Sequence, residues 1–155
     1  MSDTVYEERI VRTVEAFRRN RYDVSRFAER TAAADYLAAE IRGKRVGFGD
    51  SETLRALSLY ERLSVHNEVI DPPRAGHVGG IEAFLAAGRE ALMTDVFLLS
   101  ANAITEEGQI LNMDGAGNRV AGSLFGHEKT YFVVGINKLV PDIEAGIARI
   151  HEIAA

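Results

Sequence analysis

Apolar positions at Tyr6, Ile10, Val14 and Phe17 recur every three or four residues and predict an amphipathic helix over residues 4–20. Thr4 and Glu7 have capping-box spacing at its start, and Asn20 suits its stop. An Ala-rich block over residues 31–41 predicts a second helix ended by Gly43, and the short mixed run 22–27 before it is read as a strand. Residues 44–48 predict a strand leading into a helix that carries Leu54, Leu57 and Leu63. A strand at 68–70 is followed by Asp71, Pro72, Pro73, Arg74, Ala75, Gly76 and His77, a conspicuous loop and candidate lid. Ile81, Phe84 and Leu85 mark the next helix, which Gly88 weakens or ends. Three apolar runs follow, at 95–100, 109–113 and 130–134, each ending in polar residues and glycines. Glu106, Glu107 and Gly108 read as the turn of a hairpin or as a bulge between Ile104 and Gln109, Gly126 suits a helix stop, and Pro141 opens a last helix striped by Ile143, Ile147 and Ile150. Alternation of about six strands with five or six helices indicates an α/β sheet rather than a bundle or sandwich.

The chain of 155 residues is 46% hydrophobic, enough for the core of one domain. Its net charge of -5 argues against a nucleic-acid surface. The one basic cluster, Arg18, Arg19 and Arg21, falls at a predicted helix C-terminus, where cations complement the dipole. With no Cys, the chain has no disulfide and no thiolate ligand for zinc or an iron–sulfur cluster. There is no apolar run near the ~20 residues of a membrane span and no leader pattern, so the expected compartment is the cytoplasm, with no membrane partner.

Candidate chemistry gathers where strands stop. Gly47 and Gly49 flank the end of the 44–48 strand, and Asp50, Ser51 and Thr53 stand at the following helix start. Such a turn can hold an anion on backbone amides, or can simply be a tight turn capped by Asp50 or Ser51. It matches neither the dinucleotide fingerprint nor a Walker A loop, and no cofactor is expected on this chain. Further along, Asn102, Asn112, Asp114, Gly115, Gly117, Asn118 and Arg119 follow two of the apolar runs, and Asn137 and Lys138 follow the third. Strand ends of an open α/β sheet are where ligands bind, so these groups are expected to serve one crevice. Asp114 reads equally as a general base or ligand acceptor and as an Asx-type brace for the following backbone. Arg119 and Lys138 suit an anion, while the alternative for each is a structural ion pair, Arg119 with Asp114 itself among them. The asparagines offer neutral hydrogen bonds. His66, His77, His127 and His151 lack metal-site spacing, and Ser51, Ser100 and Ser123 lack a nucleophile-elbow context, so neither a metal nor a serine nucleophile is expected. Glu106 and Glu107 are the carboxylates that a CoA-transferase-like nucleophile would require, and a solvated turn explains both more simply.

Ser100, Ala101, Asn102, Ala103, Ile104 and Thr105, then Gly108, Asn112, the run from Asp114 through Gly115, Ala116, Gly117, Asn118 and Arg119 to Val120, and Gly135, Ile136, Asn137 and Lys138 form an ordered series. With Val46 to Leu54 upstream, the series resembles the lactate-utilisation (LUD) domain family. The resemblance spans nearly the whole chain, with residues 1–20 as an N-terminal helix and 44–155 best matched. It implies one domain with the fold shared by NagB, RpiA and CoA transferases: three layers, a mostly parallel sheet with helices on both faces. It also implies a part in oxidising lactate to pyruvate alongside redox partner proteins. Two departures stand out. Asp50 replaces the family's usual second glycine, placing negative charge where an anion would sit. The Cys-rich tail found in many relatives has no counterpart after His151. Sugar-phosphate isomerases of the same fold carry catalytic carboxylates where this chain has Ala101, Asn102 and Ala103, so that mechanism lacks its residues.

The resulting expectation is a homodimeric component of a lactate-utilisation system whose strand ends bind a small anionic metabolite or present a surface to redox partner subunits. The alternative is a free-standing isomerase-, deaminase- or CoA-transferase-like enzyme using Asp114 and Lys138. A third reading is a diverged structural domain whose homodimer is built on apolar helix faces.

Overall fold

The computed structural model describes residues 3–154, with side chains from residue 5 to 153. In chain order the elements are α1 (Asp3–Arg19), α2 (Arg30–Glu40), β1 (Arg45–Phe48), α3 (Glu52–Ala56), α4 (Leu59–Leu63), β2 (Glu68–Ile70) and α5 (Pro72–Ala91). They continue as β3 (Val96–Leu99), β4 (Ala103–Thr105), β5 (Ile110–Leu111), α6 (Asn118–Leu124), β6 (Lys129–Phe132), β7 (Leu139–Val140) and α7 (Ile143–Ala154). They group into two compact units. One comprises Phe27–Ser100 and Asp114–Val134; the other comprises Met1–Arg26, Ala101–Met113 and Gly135–Ala155.

The larger unit is a three-layer α/β structure. Its sheet has the order β2-β1-β3-β6 with every neighbour parallel. Side chains alternate across a strand, so Val46, Phe48, Val96 and Leu98 face one side, where they pack with Leu37 of α2 and with Leu54, Leu59 and Leu63. Phe97 and Leu99 face the other side with Ile70 and with Ala87 and Ala91 of α5. Gly47 also lies on that second side. A Cβ there would sit 2.5 Å from the Ala91 carbonyl oxygen and 2.7 Å from Thr94 Oγ1, so glycine is what lets the end of α5 close onto β1. Gly122 does the same for α6, since a Cβ would come 2.4 Å from the Phe97 ring. β3 is buried at all four positions, as expected of a central parallel strand covered on both faces.

The smaller unit holds a three-stranded sheet, β5-β4-β7, antiparallel between β4 and β5 and parallel between β4 and β7. The β4 to β5 hairpin turns through Gly108 at φ +79°, where a side chain would also meet the α1 backbone at Ala16 and Phe17 at 2.8 Å. Asn20 Nδ2 donates to the carbonyls of Glu107 and Gly108, and Arg9 pairs with Glu106, so α1 is clipped to that turn. α7 packs on β4 and β5 through Gly146, close to Leu111 and Ala103.

Several local expectations change. Residues 22–27 are irregular, not a strand: α1 ends in a Schellman turn with Arg21 at φ +67°, Tyr22 N donating to Phe17 O and Arg21 N to Arg18 O. The Tyr22 ring folds back edge-on against Phe17, 5.3 Å between centroids. The Thr4 half of the expected capping box lies outside the described side chains, while Glu7 pairs with Arg26 at 2.5 and 2.8 Å. The Leu54, Leu57 and Leu63 pattern spans two short helices, not one, because Ser58 takes a left-handed φ of +50°. Residues 71–77 are not a loop but the first turns of α5. Asp71 accepts from the Arg74 amide at 3.3 Å as the cap, and Pro72 and Pro73 fill first-turn positions where the missing N–H costs nothing. The real interruption is Gly80, at φ 72° and ψ -162°, while Gly88 stays inside the helix. Leu139 and Val140 form a strand that the pattern did not show, and α7 opens at Ile143 rather than at Pro141, with Asp142 accepting from Ala145 N at 2.8 Å as its cap.

Candidate functional site

β1 and β3 are neighbours from which the chain goes on to helices on opposite faces of the sheet: directly to α3 on the side of Val46 and Phe48, and, after β4 and β5, to α6 on the side of Phe97. Their carboxyl ends therefore form a topological switch point, the place where open parallel sheets leave a crevice. Gly49 leaves β1 there. A Cβ on it would lie 3.0 Å from Arg119 Cγ and 3.1 Å from Leu99 Cβ, so the glycine makes room for the Arg119 stem to cross the strand end. Ser100, 1% exposed at the end of β3, donates from Oγ to Thr53 Oγ1 on α3 at 3.3 Å, joining the two sides of the point.

Asp114 and Arg119 meet. Arg119 Nε donates to Asp114 Oδ1 at 2.7 Å, and the amide of Val120, third residue of α6, donates to Asp114 Oδ2 at 2.7 Å. The two side chains are only 7% and 16% exposed. Asp114 thus caps α6 from outside the helix and orients the guanidinium at the same time. Gly117 supplies the left-handed φ of +81° that turns the chain into α6 at Asn118, and Gly115 stands in open space.

The turn after β1 is also committed. Ser51 caps α3, its Oγ accepting from Leu54 N at 3.3 Å, and Asp50 accepts from Arg55 Nη1 at 2.8 Å. Arg55 turns its Nη2 and Nε to Glu52 at 2.5 and 3.3 Å. The hydrogen bond from Arg55 holds the Glu52 carboxyl below the usual carboxylate range, and the same bond raises Arg55 above its ordinary value. The negative charge of Asp50 is therefore answered by a cation five residues on.

The remaining sequence candidates belong to the smaller unit. Asn102 and Asn112 brace the mouth of the hairpin reciprocally: Asn112 Oδ1 accepts from Asn102 N at 3.1 Å, and Asn102 Oδ1 accepts from Met113 N at 3.0 Å. Asn137 and Lys138 lie in a single 3-10 turn, Ile136–Lys138, whose Lys138 amide donates to Gly135 O at 3.0 Å. Glu106 is held by Arg9, with Arg12 at 3.9 Å. Among the described residues no group of three or more His, Asp or Glu stands close enough to hold a metal ion, and no helix is long and apolar enough to cross a membrane.

Beside the turn 49–51, at the ends of β1 and β2, opens a cleft of about 470 Å³. Tyr60 and Glu61 of α4 and Arg74 and His77 of α5 line it with Asp50 and Arg55. None of α4's or α5's contributions was singled out for a site from sequence. The signal available was the 71–77 stretch itself, whose Arg and His follow an Asp and two prolines.

The fold defines a three-layer α/β protein whose mostly parallel sheet has its switch point between β1 and β3. A family model, the LUD domain, matches residues 10–155. The chain belongs to the LUD domain family, a lactate-utilisation-associated family. No curated protein and no solved structure gives a significant match.

Proposed function

We propose that this protein is a component of a lactate-utilisation system, binding a small anionic metabolite at the carboxyl ends of β1 and β3 while redox partner proteins carry the electrons of lactate oxidation. The family match over residues 10–155 carries the reading. The geometry supports it: Gly49 keeps the strand end low, and Asp114 holds Arg119 across that end in a fixed orientation suited to a carboxylate. Oxidising lactate moves two electrons, and these 155 residues offer neither a thiolate ligand nor a dinucleotide fingerprint to accept them. Pairing of two copies through exposed apolar positions such as Ile143 and Ile147 belongs to the same reading, and static light scattering tests it.

Calorimetric titration with L-lactate, pyruvate and glucose 6-phosphate tests the site. A three-carbon carboxylate should bind, and Arg119→Lys, which keeps the charge but loses the fork, should weaken it roughly tenfold. Binding of neither acid, or turnover of lactate by the isolated protein with no partner or cofactor added, would sink the proposal.

A further inference from the structure

The cleft at the ends of β1 and β2 has a floor and a rim of different character. Its floor is apolar, with Phe48 and Leu54 buried beneath and Pro73 and Val78 along one wall. Its rim alternates in sign: carboxylates at Asp50, Glu61 and Asp71, guanidiniums at Arg55 and Arg74, and the His77 imidazole. Arg55 gives Asp50 one hydrogen bond and Arg74 gives Glu61 one at 2.5 Å, so the rim is already balanced to within one charge. A simple anion entering here meets carboxylates that hold the arginines, and a simple cation meets the arginines. A molecule carrying both charges meets partners for both and leaves the balance unchanged.

The spare capacity fits that description. Arg74 stacks its guanidinium 3.8 Å above the Tyr60 ring and commits Nη2 to Glu61, leaving donors for a carboxylate. Asp71 takes the Arg74 amide on Oδ1 and Asp50 takes Arg55 on Oδ1, leaving an Oδ2 on each for an ammonium. Because the rim pairs are exposed, with Arg74 and Glu61 at 51% and 61%, exchanging their partners costs little. Size points the same way. A six-heavy-atom acid such as lactate displaces roughly three waters, about 100 Å³, whereas the cleft offers about 470 Å³. The wall carrying Arg74, His77 and Val78 is the short helical stretch before the break at Gly80, so it is set apart from the rest of α5.

We infer that this cleft is a second ligand site, adjoining the strand-end site at Gly49 but distinct from it in chemistry, and that it takes a zwitterion with an apolar body: a dipeptide, or an α-amino acid, with large apolar side chains. The carboxylate lies on Arg74, the ammonium on Asp50 or Asp71, and the side chains on Phe48, Leu54 and Pro73.

Titration calorimetry on the full chain tests it with L-leucyl-L-phenylalanine and L-phenylalanine as probes, and 3-phenylpropionate and phenethylamine as their half-charged counterparts. The dipeptide should bind below millimolar, each half-charged probe at least about tenfold weaker, since each forfeits one set of charge-assisted hydrogen bonds. Arg74→Gln should weaken the dipeptide and 3-phenylpropionate but leave phenethylamine unchanged, with circular dichroism confirming the fold. L-lactate binding should be untouched by Arg74→Gln, which separates this site from the strand-end reading. No heat from either zwitterion at 10 mM, equal binding of a half-charged probe, or dipeptide affinity indifferent to Arg74→Gln in a folded protein would each overturn the inference.

Discussion

Two carboxylate and guanidinium pairs in the larger unit share residue types and spacing, yet they do opposite work. Asp50 meets Arg55 and Asp114 meets Arg119, each five residues apart and each beside a glycine. The first pair is about half exposed, at 52% and 47%; the second is 7% and 16% exposed. In the second, both carboxylate oxygens are spent on protein donors, one of them the Val120 amide of α6, so Asp114 is a brace that sets the direction of Arg119. In the first, the carboxylate lines the cleft with a protein donor on Oδ1, and the partners can be exchanged for ligand groups. Burial decides whether such a carboxylate keeps its protein donors or can exchange them for ligand groups.

The contrast breaks first at Asp114. Replacing it with Ala leaves a nearly buried guanidinium and an uncapped helix amide, which should cost about 3 kcal/mol in urea unfolding. If Asp114→Ala unfolds no more easily than the natural chain, the pair is not a brace. Gly122→Ala comes next. The added methyl meets the Phe97 ring that seats α6, and overpacking of this kind costs about 2 kcal/mol, again read from urea midpoints. Asp50→Asn should lower stability by less than about 0.5 kcal/mol, as exposed pairs do, while changing binding in the cleft. The smallest effect is a pH dependence. The Arg55 hydrogen bond lowers the folded Glu52 carboxyl relative to the unfolded chain. Its contribution is therefore complete above the ordinary glutamate range near ~4.3 and disappears as pH falls through the lowered folded value. The melting-temperature gap between the natural chain and Glu52→Gln should close over that acid interval; a gap that widened there would contradict the assignment.

The parallel sheet was legible because its strands are short apolar runs closed by glycine or polar turns, and β1, β2, β3 and β6 all follow that rule. The Asp114 brace was legible as one of two alternatives, since spacing allows it and only burial distinguishes it. Residues 71–77 misled because two prolines look like a loop, and their role as first-turn residues depends on Asp71 capping ahead of them. The strand Leu139–Val140 is too short to leave any periodicity. The cleft was hidden for a different reason: α3, α4, β2 and α5 each bring one or two ordinary charged residues to it, and no local motif records their convergence.

The smaller unit is assembled from three separated stretches of chain, with α1 in the first and the turn that clips it, residues 106–108, in the second. During synthesis α1 leaves the ribosome with its apolar stripe made but its seat still untranslated. It must wait for most of the larger unit to emerge before Glu106, Glu107 and Gly108 arrive. Of the described helices α1 is made first yet is among the late ones to settle, and a ribosome stalled before Ala101 should display α1 as an undocked segment open to proteases.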